Sequence, residues 1–79
     1  KLDRNRWRVN GVLPVEDFQK VYPALKGLQE VDTMGGLLVA LKEVVPRVGE
    51  SATIDGLQLI AVVADERRVR ELVVKRSNR

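Results

Sequence analysis

The sequence predicts an α+β domain of order β-α-α-β-β-β, a mostly antiparallel four-stranded sheet with two helices on one face. Three observations predict it. Leu57 to Ala64 is an apolar-rich run of strand length. Asp55-Gly56 stands directly before it, and that pair is a strong signal for a two-residue hairpin turn. From Met34 to Val45, apolar residues recur at spacings of three and four, the stripe of an amphipathic helix. At 79 residues the chain is one domain at most.

Each element follows in order. Trp7 and Val9 alternate with Arg6 and Arg8, so Trp7–Asn10 reads as a half-buried strand that Gly11 breaks. Leu13 and Pro14 lead into a first helix, with Pro14 suited to a first turn. Glu16 and Asp17 sit where carboxylates favour the helix dipole. Val15, Phe18, Val21 and Tyr22 are expected on its inner face, and Pro23 ends it. In the connection that follows, Leu25, Leu28 and Val31 are spaced to tuck inward. Asp32 or Thr33 caps the second helix. Its stripe is Met34, Leu37, Leu38, Leu41, Val44 and Val45, and Pro46 stops it.

Gly49 marks the next turn, and Ala52–Ile54 is a strand. Leu57–Ala64 is apolar on both faces, which predicts a central position. Asp65 to Arg67 turns the chain and Val69–Lys75 returns. That last strand alternates in two frames, which a bulge near Arg70 or Glu71 reconciles. The residues from Arg76 onward read as a tail, so order is expected from about 6 to 75.

Composition narrows function. There is no His and no Cys. This removes Ser-His-Asp and Cys-His catalysis and the commonest zinc ligands. The carboxylate clusters Glu16-Asp17, Glu30 with Asp32, and Asp65-Glu66 lack the spaced oxygens of a calcium loop. They also have structural uses at helix starts and turns. The reading is therefore no enzyme, no metal site and no cofactor. Lack of Cys fits a reducing compartment. No apolar run approaches the roughly 20 residues of a membrane span.

The net charge of +3 is unevenly spread. Both ends are basic: Lys1, Arg4, Arg6 and Arg8 at one, Arg67, Arg68, Arg70, Lys75, Arg76 and Arg79 at the other. The middle is acidic. Basic ends read either as solubilising charge or as a contact surface, with Arg67, Arg68 and Arg70 the contact candidates. Nucleic acid is not expected, because only Trp7, Phe18 and Tyr22 are aromatic and the second helix is nearly uncharged.

Gly35-Gly36 in the first turn of the second helix is the most unusual feature. A helical glycine costs about 1 kcal/mol relative to alanine, so something compensates. One reading is backbone approach to an anion at the helix start. The other is close packing of the helix against the sheet or the first helix. Gly11, Pro14, Thr33, Pro46, Gly49, Asp55 and Gly56 are expected to shape turns and helix starts.

The linear order of motifs resembles a known family. Trp7 to Asp17 has strand, Gly, Leu-Pro, then helix. Asp32-Thr33-Met34-Gly35-Gly36-Leu37 resembles a Thr-x-Gly-Gly-Leu helix opening. Pro46-Arg47-Val48-Gly49-Glu50 resembles a Pro-x-x-Gly-Asp/Glu turn, and Arg67-Arg68-Val69 an Arg-Arg-Ile strand opening. Together, from about Trp7 to Lys75, these are similar to the CorC/HlyC transporter-associated domain. One departure is Asp65-Glu66, where the family usually has Asp-Gly before the last strand. This leaves the shape of the last hairpin open.

The resemblance implies a fold related to half of a PCMH-type FAD-binding domain. It implies a C-terminal piece of a larger membrane protein that carries a membrane domain and a CBS domain pair. Those would be its partners, at the cytoplasmic face of the inner membrane. The implied role is a non-catalytic regulator of magnesium and cobalt efflux, or of a haemolysin-like protein. An alternative is a small-ligand sensor holding a nucleotide or FAD phosphate at Gly35-Gly36. Flavin or adenine nucleotide is implied by fold analogy only. The sheet could also pair with a copy of itself along an exposed edge.

Overall fold

A computed structural model describes residues 5–76. Lys1, Arg4, Arg79 and all of the tail expected from Arg76 onward except Arg76 itself lie outside them. The elements are β1 (Arg6–Asn10), α1 (Val15–Gln19), α2 (Met34–Lys42), β2 (Ser51–Ile54), β3 (Leu57–Ala64) and β4 (Val69–Arg76). The strands form one sheet in the order β1-β4-β3-β2, and every neighbouring pair is antiparallel. The expected order and sheet are therefore observed, with β3 inside the sheet.

Period-two alternation decides the faces. Leu57, Leu59 and Ala61 of β3 and Val69, Leu72 and Val74 of β4 are buried. They meet Met34, Leu37 and Leu38 of α2 and Val15 and Phe18 of α1. Trp7 and Val9 reach the same side, and the Trp7 ring stands edge-on to Phe18, with centroids 5.3 Å apart. On the opposite face the pairing aligns Arg8, Val73, Ile60 and Ser51 in one row. There Arg8 donates to Glu71 at 2.8 Å.

The β3–β4 register explains the two frames of the last strand. Ala61 pairs with Leu72, Val63 with Glu71 and Ala64 with Val69. Val62 is thus an extra residue on β3 and Arg70 an extra residue on β4. The second offset cancels the first. The bulge expected near Arg70 exists, and its action is to turn Val69 onto the core face with Leu72 and Val74.

Several boundaries differ from expectation. α1 is only five residues long, and Pro14 is its N-cap in extended conformation, not part of its first turn. The chain leaves the helix at Lys20, so Val21 faces out at 56% exposure. Leu28 is also exposed, while Leu25 is buried. α2 stops at Lys42, because Glu43 takes a left-handed conformation (φ 67°) and its N–H closes on Val39 O. Val44 therefore leaves the apolar stripe and is exposed. Arg76 lies in β4, its guanidinium 5.4 Å from the centre of the Tyr22 ring.

Candidate functional site

The Gly35-Gly36 helix start rests on a junction of three backbones. Gly35 N–H donates to Gly11 O at 2.8 Å, and Gly11 N–H donates to Arg70 O at 2.7 Å. α2, the end of β1 and the bulge of β4 thus meet main chain to main chain. A Cβ on Gly11 would lie 2.0 Å from Val69 O, and one on Gly35 would lie 2.9 Å from that same oxygen. No side chain fits at either position. The close-packing reading of Gly35 accounts for its cost.

The helix start offers an anion none of its first three amides. Met34 N–H is held by Leu13 O at 2.8 Å, Gly35 N–H by Gly11 O, and Gly36 N–H by the Thr33 hydroxyl at 3.1 Å. The three amides that open α2 are all satisfied inside the protein. A phosphate approaching this helix start would find the macrodipole but none of these three N–H groups.

Of the two expected cap residues, Asp32 and Thr33, Thr33 is the cap, and it also forms an isolated bridge with Pro14. Val15 N–H donates to Asp32 O and Met34 N–H to Leu13 O, each at 2.8 Å. The starts of the two helices are therefore tied side by side.

The last turn is built on Asp65. Its Oδ1 accepts Arg67 N–H at 2.8 Å and Arg68 N–H at 3.0 Å, and its Oδ2 accepts Arg70 Nε at 2.7 Å. Asp65 N–H donates to Arg68 O at 3.0 Å. Glu66 is not among the residues with positive φ. This explains how the turn closes without a glycine: a carboxylate, not a left-handed residue, reverses the chain. The Arg67 N–H, the Arg70 guanidinium and the Arg68 N–H together lower the Asp65 pKa from 3.8 to about 2.

That turn separates the contact candidates. Arg70 is committed to Asp65. Arg67 and Arg68 have their amides tied down and their side chains exposed. Among the described residues neither guanidinium has an ion pair. Beside them lies an open hollow of about 380 Å³ that brings together Gly35, Gly36, Arg67 and Arg68, with Val12, Val39 and Ala40 as apolar lining. Of the five ligand or contact candidates, Gly35, Gly36, Arg67 and Arg68 thus share one surface and Arg70 does not line it. Across the turn, Ala64, Asp65 and Glu66 border a second hollow of about 420 Å³ with Val45, Pro46 and Val48.

The remaining motif residues shape loops. Asp55 (φ 53°) and Gly56 (φ 83°) are both left-handed, as a type I′ turn requires. Asp55 does more than turn: its Oδ2 accepts Lys26 N–H at 2.9 Å and Gly27 N–H at 3.2 Å, which holds the α1–α2 connection. Tyr22 OH donates to Asp55 O at 3.0 Å. A lone Asp-Gly carries no signal for this reach. In the loop after α2, Pro46 is buried, Gly49 is left-handed (φ 95°) and Glu50 accepts Arg47 N–H at 2.8 Å. That bond gives the Glu of the Pro-x-x-Gly-Glu motif its local use.

Val12, missed as a candidate, is 64% exposed beside Arg67 and Arg68. No run of neighbours marked it, because its partners come from the far end of the chain. Among the described residues, no three carboxylates come together to hold a metal ion. No described helix is long and apolar enough to cross a membrane.

The family model for the CorC_HlyC transporter associated domain matches residues 1–78. The magnesium and cobalt efflux protein CorC of Escherichia coli K12 is 36% identical over 75 residues, which cover 95% of this chain and 26% of that protein. The chain thus spans about a quarter of the length of this relative. Among solved structures, a CorC-associated region from Neisseria meningitidis MC58 is 32% identical with a TM-score of 0.88, over 96% of this chain and 94% of that one. A CorC_HlyC domain of a Xylella fastidiosa Temecula1 hemolysin, solved with Mg and Mn ions, is 25% identical with a TM-score of 0.79, over 92% and 89%. With its fold, its motifs and nearly its whole length accounted for, this chain belongs to the CorC_HlyC transporter associated domain family.

Proposed function

We propose that this chain is a non-catalytic docking module of an ion-transport protein of the magnesium and cobalt efflux kind. In this reading it acts by binding neighbouring parts of that protein, a CBS domain pair and a membrane domain at the cytoplasmic face, or its own copy. A docked module that favours one conformation of the transport unit biases it by its difference in affinity for the two states.

One observation carries the reading. Arg67 and Arg68 are exposed, unpaired among the described residues, and set over aliphatic lining. Free cations beside apolar surface suit a protein partner, where the apolar part supplies area and the charges supply register. The membership and the span of about a quarter of its relative agree with a module among others.

The ligand-sensor reading would place a nucleotide or FAD phosphate in the same hollow. The spent amides of Met34, Gly35 and Gly36 count against it. Only the two arginines would remain to hold the phosphate.

The deciding experiment records amide chemical shifts of the 79-residue chain during titration with AMP, ATP, FAD and then magnesium. Docking predicts flat spectra throughout. Saturable shifts confined to Gly35, Gly36, Arg67 and Arg68 would overturn it and make this a ligand sensor.

A further inference from the structure

The surface at the β3–β4 turn carries both signs of charge and borders two hollows. Asp65, Glu66, Arg67 and Arg68 are four successive exposed residues, a ridge with one hollow on each side. The first half of the ridge presents the Glu66 carboxylate and the second half two guanidiniums without ion pairs among the described residues. Exposed valines flank both halves: Val12 at 64% beyond the arginines and Val48 at 62% beyond Glu66. Protrusion, hollow, both signs of charge and apolar flanks thus lie within one patch.

We propose that two copies of this chain associate about a two-fold axis at this ridge. The turn of each copy seats in the Arg67–Arg68 hollow of the other and sets its Glu66 against those guanidiniums. A two-fold axis repeats the contact, so each copy gives one carboxylate and receives one. The Asp65 carboxylate keeps the ridge stiff, which lowers the ordering cost of association. The sheet edges are poorer sites. β2 is only four residues long and β1 alternates arginine, both devices that discourage strand pairing. This inference rests on the docking reading and names a second copy as the partner at its surface.

Sedimentation velocity on the 79-residue chain at low salt, up to about 1 mM, tests it. The expected result is reversible dimerisation. Glu66→Arg alone and Arg67→Glu/Arg68→Glu alone each weaken it at least about tenfold, because like charges then face each other. An equimolar mixture of the two variants restores a dimer containing one copy of each. All three positions are exposed, and amide spectra check that each variant is folded. A monomer at the highest concentration, a dimer indifferent to both variants, or a mixture that stays monomeric would overturn the proposal. A monomer with flat nucleotide titrations removes self-pairing alone and leaves docking standing. Saturable nucleotide shifts remove the docking reading itself.

Discussion

Gly35→Ala and Gly36→Ala separate the two uses of a paired glycine. A Cβ on Gly35 would lie 2.8 Å from Gly11 O, 2.9 Å from Val69 O and 3.0 Å from Gly11 Cα. All three atoms are main chain. Gly11 cannot retreat freely, because its own N–H is held by Arg70 O at 2.7 Å. Carbon and carbonyl oxygen ordinarily meet at about 3.3–3.6 Å, so α2 must lift by several tenths of an ångström. Overpacking of this kind costs about 1–3 kcal/mol. Weakening of the Gly35–Gly11 hydrogen bond adds about 1 kcal/mol. The better helix propensity of alanine returns about 1 kcal/mol. The net is a loss of about 2 kcal/mol, or roughly 10 °C in Tm for a domain of this size.

Gly36 differs. Its nearest atom is the Thr33 hydroxyl at 2.9 Å and the next is a Val31 methyl at 3.7 Å. The hydroxyl can swing aside. Losing the cap costs about 1 kcal/mol, and alanine returns about the same. Gly36→Ala is therefore near neutral. Denaturant melts of both variants with a shared slope measure the difference. Equal effects, or a stabilised Gly35→Ala, would refute the backbone junction as the reason for the first glycine.

Three further outcomes follow from the same geometry. The folded-state pKa of Asp65 lies below its unfolded value, so the stability it contributes is present above about 3.8 and is lost as pH falls through about 2. Asp65→Asn should flatten that acid limb, and in the unmodified chain the Arg67 and Arg68 amide shifts should titrate with a midpoint near 2. Phe18→Ala removes a buried ring and should cost about 3–5 kcal/mol, with a changed emission from Trp7, the chain's one tryptophan. Glu43→Gly should stabilise by about 0.5 kcal/mol, since relief of the left-handed cost exceeds the entropy added to the unfolded chain; thermal melts read both.

Legibility depended on how local each determinant is. The β2–β3 hairpin was readable because Asp55-Gly56 carries its own backbone preference. The cap was readable only to Asp32 or Thr33, because both carry a side-chain oxygen that can accept a helix-start amide. The end of α2 was not, because Glu43 closes the helix in a conformation that glycine usually marks. With no glycine there, the apolar spacing ran on to Val44 and Val45. Val21 and Leu28 misled in the same way: spacing placed them inward, but α1 ends at Gln19 and the chain turns before either reaches the core. Glu50 and Asp55 hold loop amides with their carboxylates. Nothing in a single carboxylate's sequence position announces that use.

The contact surface was half legible, and the reason lies in the turn. Five basic or glycine positions stood out by residue type, and four of them lie at one hollow. The fifth, Arg70, has the same composition signal and a different task. It is the extra residue of the β4 bulge, so its carbonyl serves Gly11 and its guanidinium serves Asp65. Asp65 in turn fixes the amides of Arg67 and Arg68 and leaves their side chains outward. One carboxylate thus uses up one arginine and presents two. If that division holds, Arg70→Ala and Arg67→Ala/Arg68→Ala act in different measurements. The first should disturb the amide spectrum of the turn. The second should leave that spectrum nearly unchanged and weaken association. A double variant that unfolds the turn as Arg70→Ala does would mean that all three arginines are structural, and the contact surface would have to lie elsewhere.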